Sequence, residues 1–95
     1  MIKGIYETHL NVENLERSID FYENTLGLER CRTNDQRRIA FFWVGKPKQF
    51  MLGVWEKPKE EINVQHFAFE CDPEWVINES VNYLKESCQF TLLLI

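Results

Sequence analysis

A strand-like segment followed by an amphipathic helix begins twice in this chain, near residue 5 and near residue 64. Only the first start is followed by several more strands. That pattern excludes a plain helical bundle and an all-β sandwich, and it predicts a mixed unit that starts to repeat. In the first start, residues 5–12 alternate. Tyr6, Thr8, Leu10 and Val12 point one way, and Ile5, Glu7, His9 and Asn11 the other. This is the period of a strand with one apolar face and one polar, titratable face. Asn14 reads as a helix N-cap, because its side chain can accept from the free N–H groups of a first turn. Leu15, Ile19, Tyr22 and Leu26 then form one helical stripe, widened by Phe21. Gly27 follows where a helix exit favours positive φ.

Three strands are expected next: a short mixed one at 28–33, one at 38–44 that reads as buried on both faces, and one at 49–55. They are separated by turn chemistry at Asn34-Asp35-Gln36 and at Gly45-Lys46-Pro47-Lys48. The polar stretch 56–63, with Pro58 and its charged neighbours, is the best internal boundary. The second start has a strand at 64–71 with His66 near its beginning. Asp72 is its cap, Pro73 the first helical residue and Glu74 an acid in the first turn. Ile77, Val81, Leu84 and Cys88 supply its stripe. Residues 90–95 are apolar and have room for one further strand. The expected fold is α+β: a βαβββ module over residues 1–63, linker included, then an incomplete second module, β-α with at most one more strand, over 64–95.

Composition narrows the function classes. A net charge of −4 disfavours nucleic acid, which needs a clustered basic face. The nearest candidate, Arg30, Arg32, Arg37 and Arg38, is interrupted by Glu29 and Asp35 and reads as a solvated face. No signal-peptide run or membrane-length apolar stretch is present in these residues, so a cytoplasmic protein without membrane contact is expected. Cys31, Cys71 and Cys88 lack CxxC spacing and fit reduced thiols.

Glu7, His9 and His66 combine carboxylate and imidazole, a sound donor set for a divalent ion. They lie on strands, where sequence spacing does not establish convergence, and histidines hydrogen-bonded to neighbours are the competing reading. Trp43, Trp55 and Trp75 are residues whose commoner use is core or dimer packing; Trp55, at the end of the fourth expected strand, is the candidate among them for a cavity wall. Phe41, Phe42 and Phe50 read as core, as aromatic residues in such strands usually are.

The run His9-Leu10-Asn11-Val12-Glu13-Asn14-Leu15-Glu16-Arg17-Ser18-Ile19-Asp20-Phe21-Tyr22, closing on Leu26-Gly27-Leu28, resembles the opening of a vicinal oxygen chelate module. Val64-Gln65-His66-Phe67-Ala68-Phe69 is similar to the first strand of that family's second module. The family is the glyoxalase/bleomycin-resistance/extradiol-dioxygenase group, and the resemblance spans residue 2 to about residue 86. It implies two βαβββ modules cupped around a divalent metal (Zn, Ni, Mn or Fe), although some members bind a drug and hold no metal. It implies Glu7 at the first-strand ligand position, His66 at its second-module counterpart, and Gly53, which has no ligating side chain, at the fourth-strand position. His9, two residues after Glu7 on the same strand face, and Trp55 are the candidate substrate contacts.

The implied function is a metal-dependent lyase, isomerase or thiol transferase acting on a small molecule. The alternatives are a non-catalytic small-molecule binder and an inactive, truncated member. A sheet edge and apolar surface without a second complete module imply a homodimer.

Overall fold

The computed structural model describes residues 1–45 and 48–87. It forms two compact units, Met1–Gln65 and the segment from His66 onward.

The first unit is a four-stranded sheet with a helix on one face. Strands β1 (Glu7–Val12), β2 (Glu29–Asn34), β3 (Ile39–Val44) and β4 (Phe50–Glu56) stand in the order β1-β4-β3-β2. Helix α1 (Leu15–Asp20) runs into a π-helical turn over Phe21–Thr25. β1 is parallel to β4, and β2, β3 and β4 form an antiparallel meander. This is a βαβββ module, as the sequence predicts.

Each element forms for a legible reason. Asn14 caps α1, its Oδ1 accepting from the Arg17 N–H at 3.0 Å. Leu15 and Tyr22 of the predicted stripe are buried, and α1 packs on β3 and β4. Gly27 takes φ +73 at the exit of the helical segment. In the β2–β3 turn, Asn34 Oδ1 accepts from the Arg37 N–H at 3.1 Å, closing an Asx-type turn.

The core lies between α1 and the even-numbered face of the sheet, where Phe42, Leu52 and Val54 are buried with Leu15 and Tyr22. The Tyr22 and Phe42 rings lie 5.7 Å apart. Burial pushes the Tyr22 hydroxyl up to about 12, because the ionised form loses its hydration. β3 is buried on both faces, since Ile39 and Phe41 are shielded as well.

A carboxylate fastens the helix start to the hairpin. Glu56 accepts from the Leu15 N–H at 2.9 Å and from two nitrogens of Arg38 at 3.0 Å each. Arg38 also donates to Glu16. These bonds hold the Glu56 carboxyl at about 2, the Arg38 guanidinium contributing most. Arg38 sits at φ +55, a left-handed conformation that ordinary residues avoid, and this fork of ion pairs holds it there.

On the outer edge of β1, a side chain takes a strand's place. The Asn11 N–H donates to Gln65 Oε1 at 2.6 Å, and Gln65 Nε2 donates to the Asn11 carbonyl at 2.9 Å. The even-numbered residues of β1 bond toward β4, as Tyr6 and Val12 do through Met51 and Lys57, so the odd-numbered residues direct their backbone groups outward.

The second start of the chain, from residue 64 onward, departs from expectation in two ways. Residues 64–71, predicted as a strand, have no regular secondary structure. A strand exists through its hydrogen-bonded partner, and among the described residues this segment joins no ladder. The predicted single helix is also two, α2 (Pro73–Asn78) and α3 (Ser80–Ser87), broken at Glu79. Its start is as predicted: Asp72 caps it, accepting from the Glu74 N–H at 2.9 Å, with Pro73 in the first turn. The buried positions are Ser80 and Leu84, whereas Ile77 and Val81 of the predicted stripe are exposed. The Ser80 hydroxyl donates back to the Val76 carbonyl at 2.6 Å, which satisfies it inside the helix and lets a polar residue occupy the buried row. Cys88 and the apolar run 90–95 lie outside the described residues.

Candidate functional site

The alternation of β1 places Glu7, His9 and Asn11 on the face opposite the helix. The register adds Met51, Gly53 and Trp55 from β4, then Trp43, Phe41 and Ile39 from β3, and Arg32 opposite Phe41 on β2. One sheet face therefore gathers the first-strand candidates, the fourth-strand position and Trp55.

His9 is the centre of this face. Its ring lies edge-on to Phe41, with centroids 5.7 Å apart, and tilted against Trp55 at 5.9 Å. The Trp55 Nε1–H donates to His9 Nδ1 at 2.7 Å. That bond assigns the proton of the neutral imidazole to Nε2. His9 Nε2 lies 3.6 Å from a Glu7 carboxylate oxygen, and both side chains are about two-fifths exposed, at 41% and 43%. Chemically this is a fixed, open polar pair at one end of an aromatic floor.

Gly53 explains how the ring fits. A Cβ at this position would stand 2.8 Å from Phe41 Cε1 and 3.0 Å from His9 Nδ1. The volume in which a fourth-strand side chain would project is filled by the His9 imidazole. The glycine is thus the seat of a neighbouring ring as well as a position without a donor.

A divalent catalytic ion takes about three protein donors and one open position. The Met1–Gln65 unit offers the Glu7 carboxylate alone, because His9 Nδ1 is committed to Trp55, Nε2 carries the proton and Gly53 offers nothing. One donor does not complete such a set, so this unit alone does not fit the ion. Among the described residues, no group of three or more His, Cys, Asp and Glu side chains is placed to hold a metal. His66, in the second unit, is exposed within the irregular segment 64–71.

Sequence reasoning missed the cations of the face. Arg32 lies over the Phe41 ring at 4.8 Å, Arg37 over Trp55 at 5.4 Å, and Lys57 over Trp55 at 5.6 Å. Two of the four arginines taken as a solvated face are therefore stacked on rings. The other two are paired with acids, Arg30 with Glu23 at 2.7 Å and Arg38 with Glu56. The odd phase of β3, Ile39-Phe41-Trp43, was the available signal, because it places a second aromatic row behind His9.

Of the described cysteines, Cys31 and Cys71 are free thiols. Among the described residues no helix is long and apolar enough to cross a membrane.

Comparison with known proteins agrees with this architecture. An integron cassette protein, HFX_CASS4, from the mobile metagenome of the Halifax Harbour sewage outfall is 36% identical. The match covers 80% of this chain and 64% of that one, with a TM-score of 0.71. A lactoylglutathione lyase from Agrobacterium tumefaciens is 23% identical over 72% of this chain and 52% of its own, with a TM-score of 0.52, and shares the fold. This chain thus spans about two thirds or less of the length of either solved structure. No curated protein matches it. The model of one family matches residues 4–90, and by that match the chain belongs to the glyoxalase/bleomycin resistance protein/dioxygenase superfamily.

Proposed function

We propose that the odd-numbered face of the sheet is a small-molecule site of the glyoxalase type, with Glu7, His9 and Trp55 as its contact residues. The observation that carries this reading is His9 locked over Gly53 by Trp55 and Phe41. A ring held on three sides has little conformational freedom left to lose when a ligand arrives. The floor is aromatic, and polar atoms converge at one end, as small-molecule sites commonly combine them. A thermal-shift screen of small organic molecules against the purified chain tests it. Molecules that raise the melting temperature of the parent should lose their effect in His9→Ala and Trp55→Ala. A hit that stabilises both variants as well as the parent counts against this face.

The Glu7–His9 pair favours a second reading for the chemistry. In the complete form of the domain Glu7 would supply one donor to a divalent ion (Zn, Ni, Mn or Fe), and the protein would be a metal-dependent lyase, isomerase or thiol transferase. Metal analysis of the purified protein, with melting curves in each divalent ion, checks this. No bound metal, together with melting temperatures unchanged from those of the chelated protein, sinks it.

Pairing with a second copy belongs to the same proposal. Ile5 and Tyr6 stand exposed beside the outer edge of β1, and exposed apolar side chains at a sheet edge support a self-contact. Sedimentation equilibrium that finds only monomer at micromolar concentration counts against it.

A further inference from the structure

Several described cations of the first unit are tied to acids. Arg30 and Arg38 are tied to carboxylates of the helical side, Arg30 to Glu23 and Arg38 to Glu56 and Glu16, and Lys48 pairs with Glu29. Arg32, Arg37 and Lys57 are different. Each lies over an aromatic ring of the His9 face, and among the described residues none of them meets a carboxylate. In a chain with 15 acidic against 11 basic residues, what sets these three apart from other cations outside the ion pairs is that they gather around two rings of one face.

The arrangement also has a direction. Met51, Gly53 and Trp55 share one side of β4, Lys57 follows just past its end and lies over Trp55, and Glu7 stands opposite Met51. The acid therefore lies at one end of the face, and Trp55, Arg37 and Lys57 at the other. The rings suit a flat apolar body, and the two cations at the far end suit an anion on that body.

The geometry points to a planar aromatic carboxylate as the ligand class of this face. Its ring would stack beside Phe41 and Trp55, and its carboxylate would be taken by Arg37 and Lys57, with Arg32 as the neighbouring cation. Glu7, at the other end, repels the reversed orientation. This inference rests on the small-molecule reading of the same face and adds the charge and shape of the ligand to it.

The test uses the full chain with three probes followed by titration calorimetry: 1-naphthoate, its uncharged analogue 1-naphthamide, and acetate. Naphthoate should bind at least about tenfold more tightly than either of the others, as charge-assisted contacts added to stacking require. In the double variant Arg37→Gln, Lys57→Gln, naphthoate should weaken about tenfold and naphthamide should not change. Lys48→Gln should alter neither. Melting curves of all variants establish that they are folded. Equal binding of naphthoate and naphthamide overturns the carboxylate assignment and leaves the small-molecule face standing. Binding of naphthoate that the double variant does not weaken also overturns the assignment. If no probe binds here and the broad screen also finds no ligand sensitive to His9→Ala, the underlying reading falls with it.

Discussion

The chain opens a strand-then-helix pattern twice, and the two openings end differently. The first becomes β1 and α1, with β1 hydrogen-bonded to β4 along its whole length. The second has similar alternation, yet residues 64–71 form no strand and the following helix is broken at Glu79. The helix caps are equally good, with Asn14 in one and Asp72 in the other. What separates the two is partnership. In the first unit a meander supplies three further strands and a two-sided core strand, whereas the segment at 64–71 joins no ladder among the described residues and meets β1 only through the Gln65 side chain. Helix starts are local and sheet membership is not.

The strongest way to break that comparison is to remove the core the first opening depends on. Phe42 is fully buried against Tyr22, so Phe42→Ala should cost about 3–5 kcal/mol in urea unfolding. A loss below about 1 kcal/mol would mean that the first unit is not organised around β3.

A smaller effect is expected at Gly53. An added methyl meets Phe41 and His9 at close range, so Gly53→Ala should destabilise by about 1–3 kcal/mol. It should also release the Trp55 indole N–H from His9. The indole N–H resonance should move upfield and its solvent exchange should quicken. An unchanged resonance would show that the ring does not depend on the glycine.

The hairpin-to-helix junction gives a pH prediction. The Glu56 carboxyl is held at about 2, well below the usual carboxylate range. Its contribution to stability is therefore fully present above about pH 5 and is lost as the pH falls toward 2. In Glu56→Gln the melting temperature should be lower near neutrality, and its fall across that acid range should be shallower than in the parent. Parallel acid profiles would assign the acid response to other groups.

The smallest effect belongs to the second opening. Phe69 is exposed and touches Phe67, with ring centroids 5.4 Å apart. Phe69→Ala should cost less than about 1 kcal/mol, and the amides of 64–71 should exchange far faster than those of β3. A loss comparable to that of Phe42→Ala would mean that the segment is packed like a strand, which would erase the contrast.

How much was legible follows from the same distinction. The first module was readable because each signal there is short-range: alternation in 5–12, the Asn14 cap, Gly27 at the helix exit, and turn residues at 34–36. The side of β1 that carries Glu7 and His9 was readable for the same reason. The relation of His9 to Gly53 was not. It depends on the β1–β4 register, and sequence shows a glycine there only as a missing ligand, not as space for a ring. Arg32 and Arg37 are exposed, as the solvated reading expects, but the rings they cover belong to other strands, so sequence does not show those contacts. In the second unit Leu84 of the expected stripe is buried, but Ile77 and Val81 are exposed, and the buried row runs through Ser80, whose polarity conceals it until its bond to the Val76 carbonyl is seen.

Gln65 carries a consequence of its own. Its side-chain amide copies a peptide unit, and at Asn11 it occupies the donor and the acceptor that an added strand would need. The outer edge of β1 is thus stoppered at one end by a group that can swing away. An incoming strand would replace two hydrogen bonds with two of the same kind, so eviction is nearly neutral in bond energy and frees one side chain's rotamers. A strand added at this edge would have to displace Gln65 at Asn11 but nothing comparable at Glu7 and His9 among the described residues, so access to the far end of the edge depends on a residue that belongs to no strand.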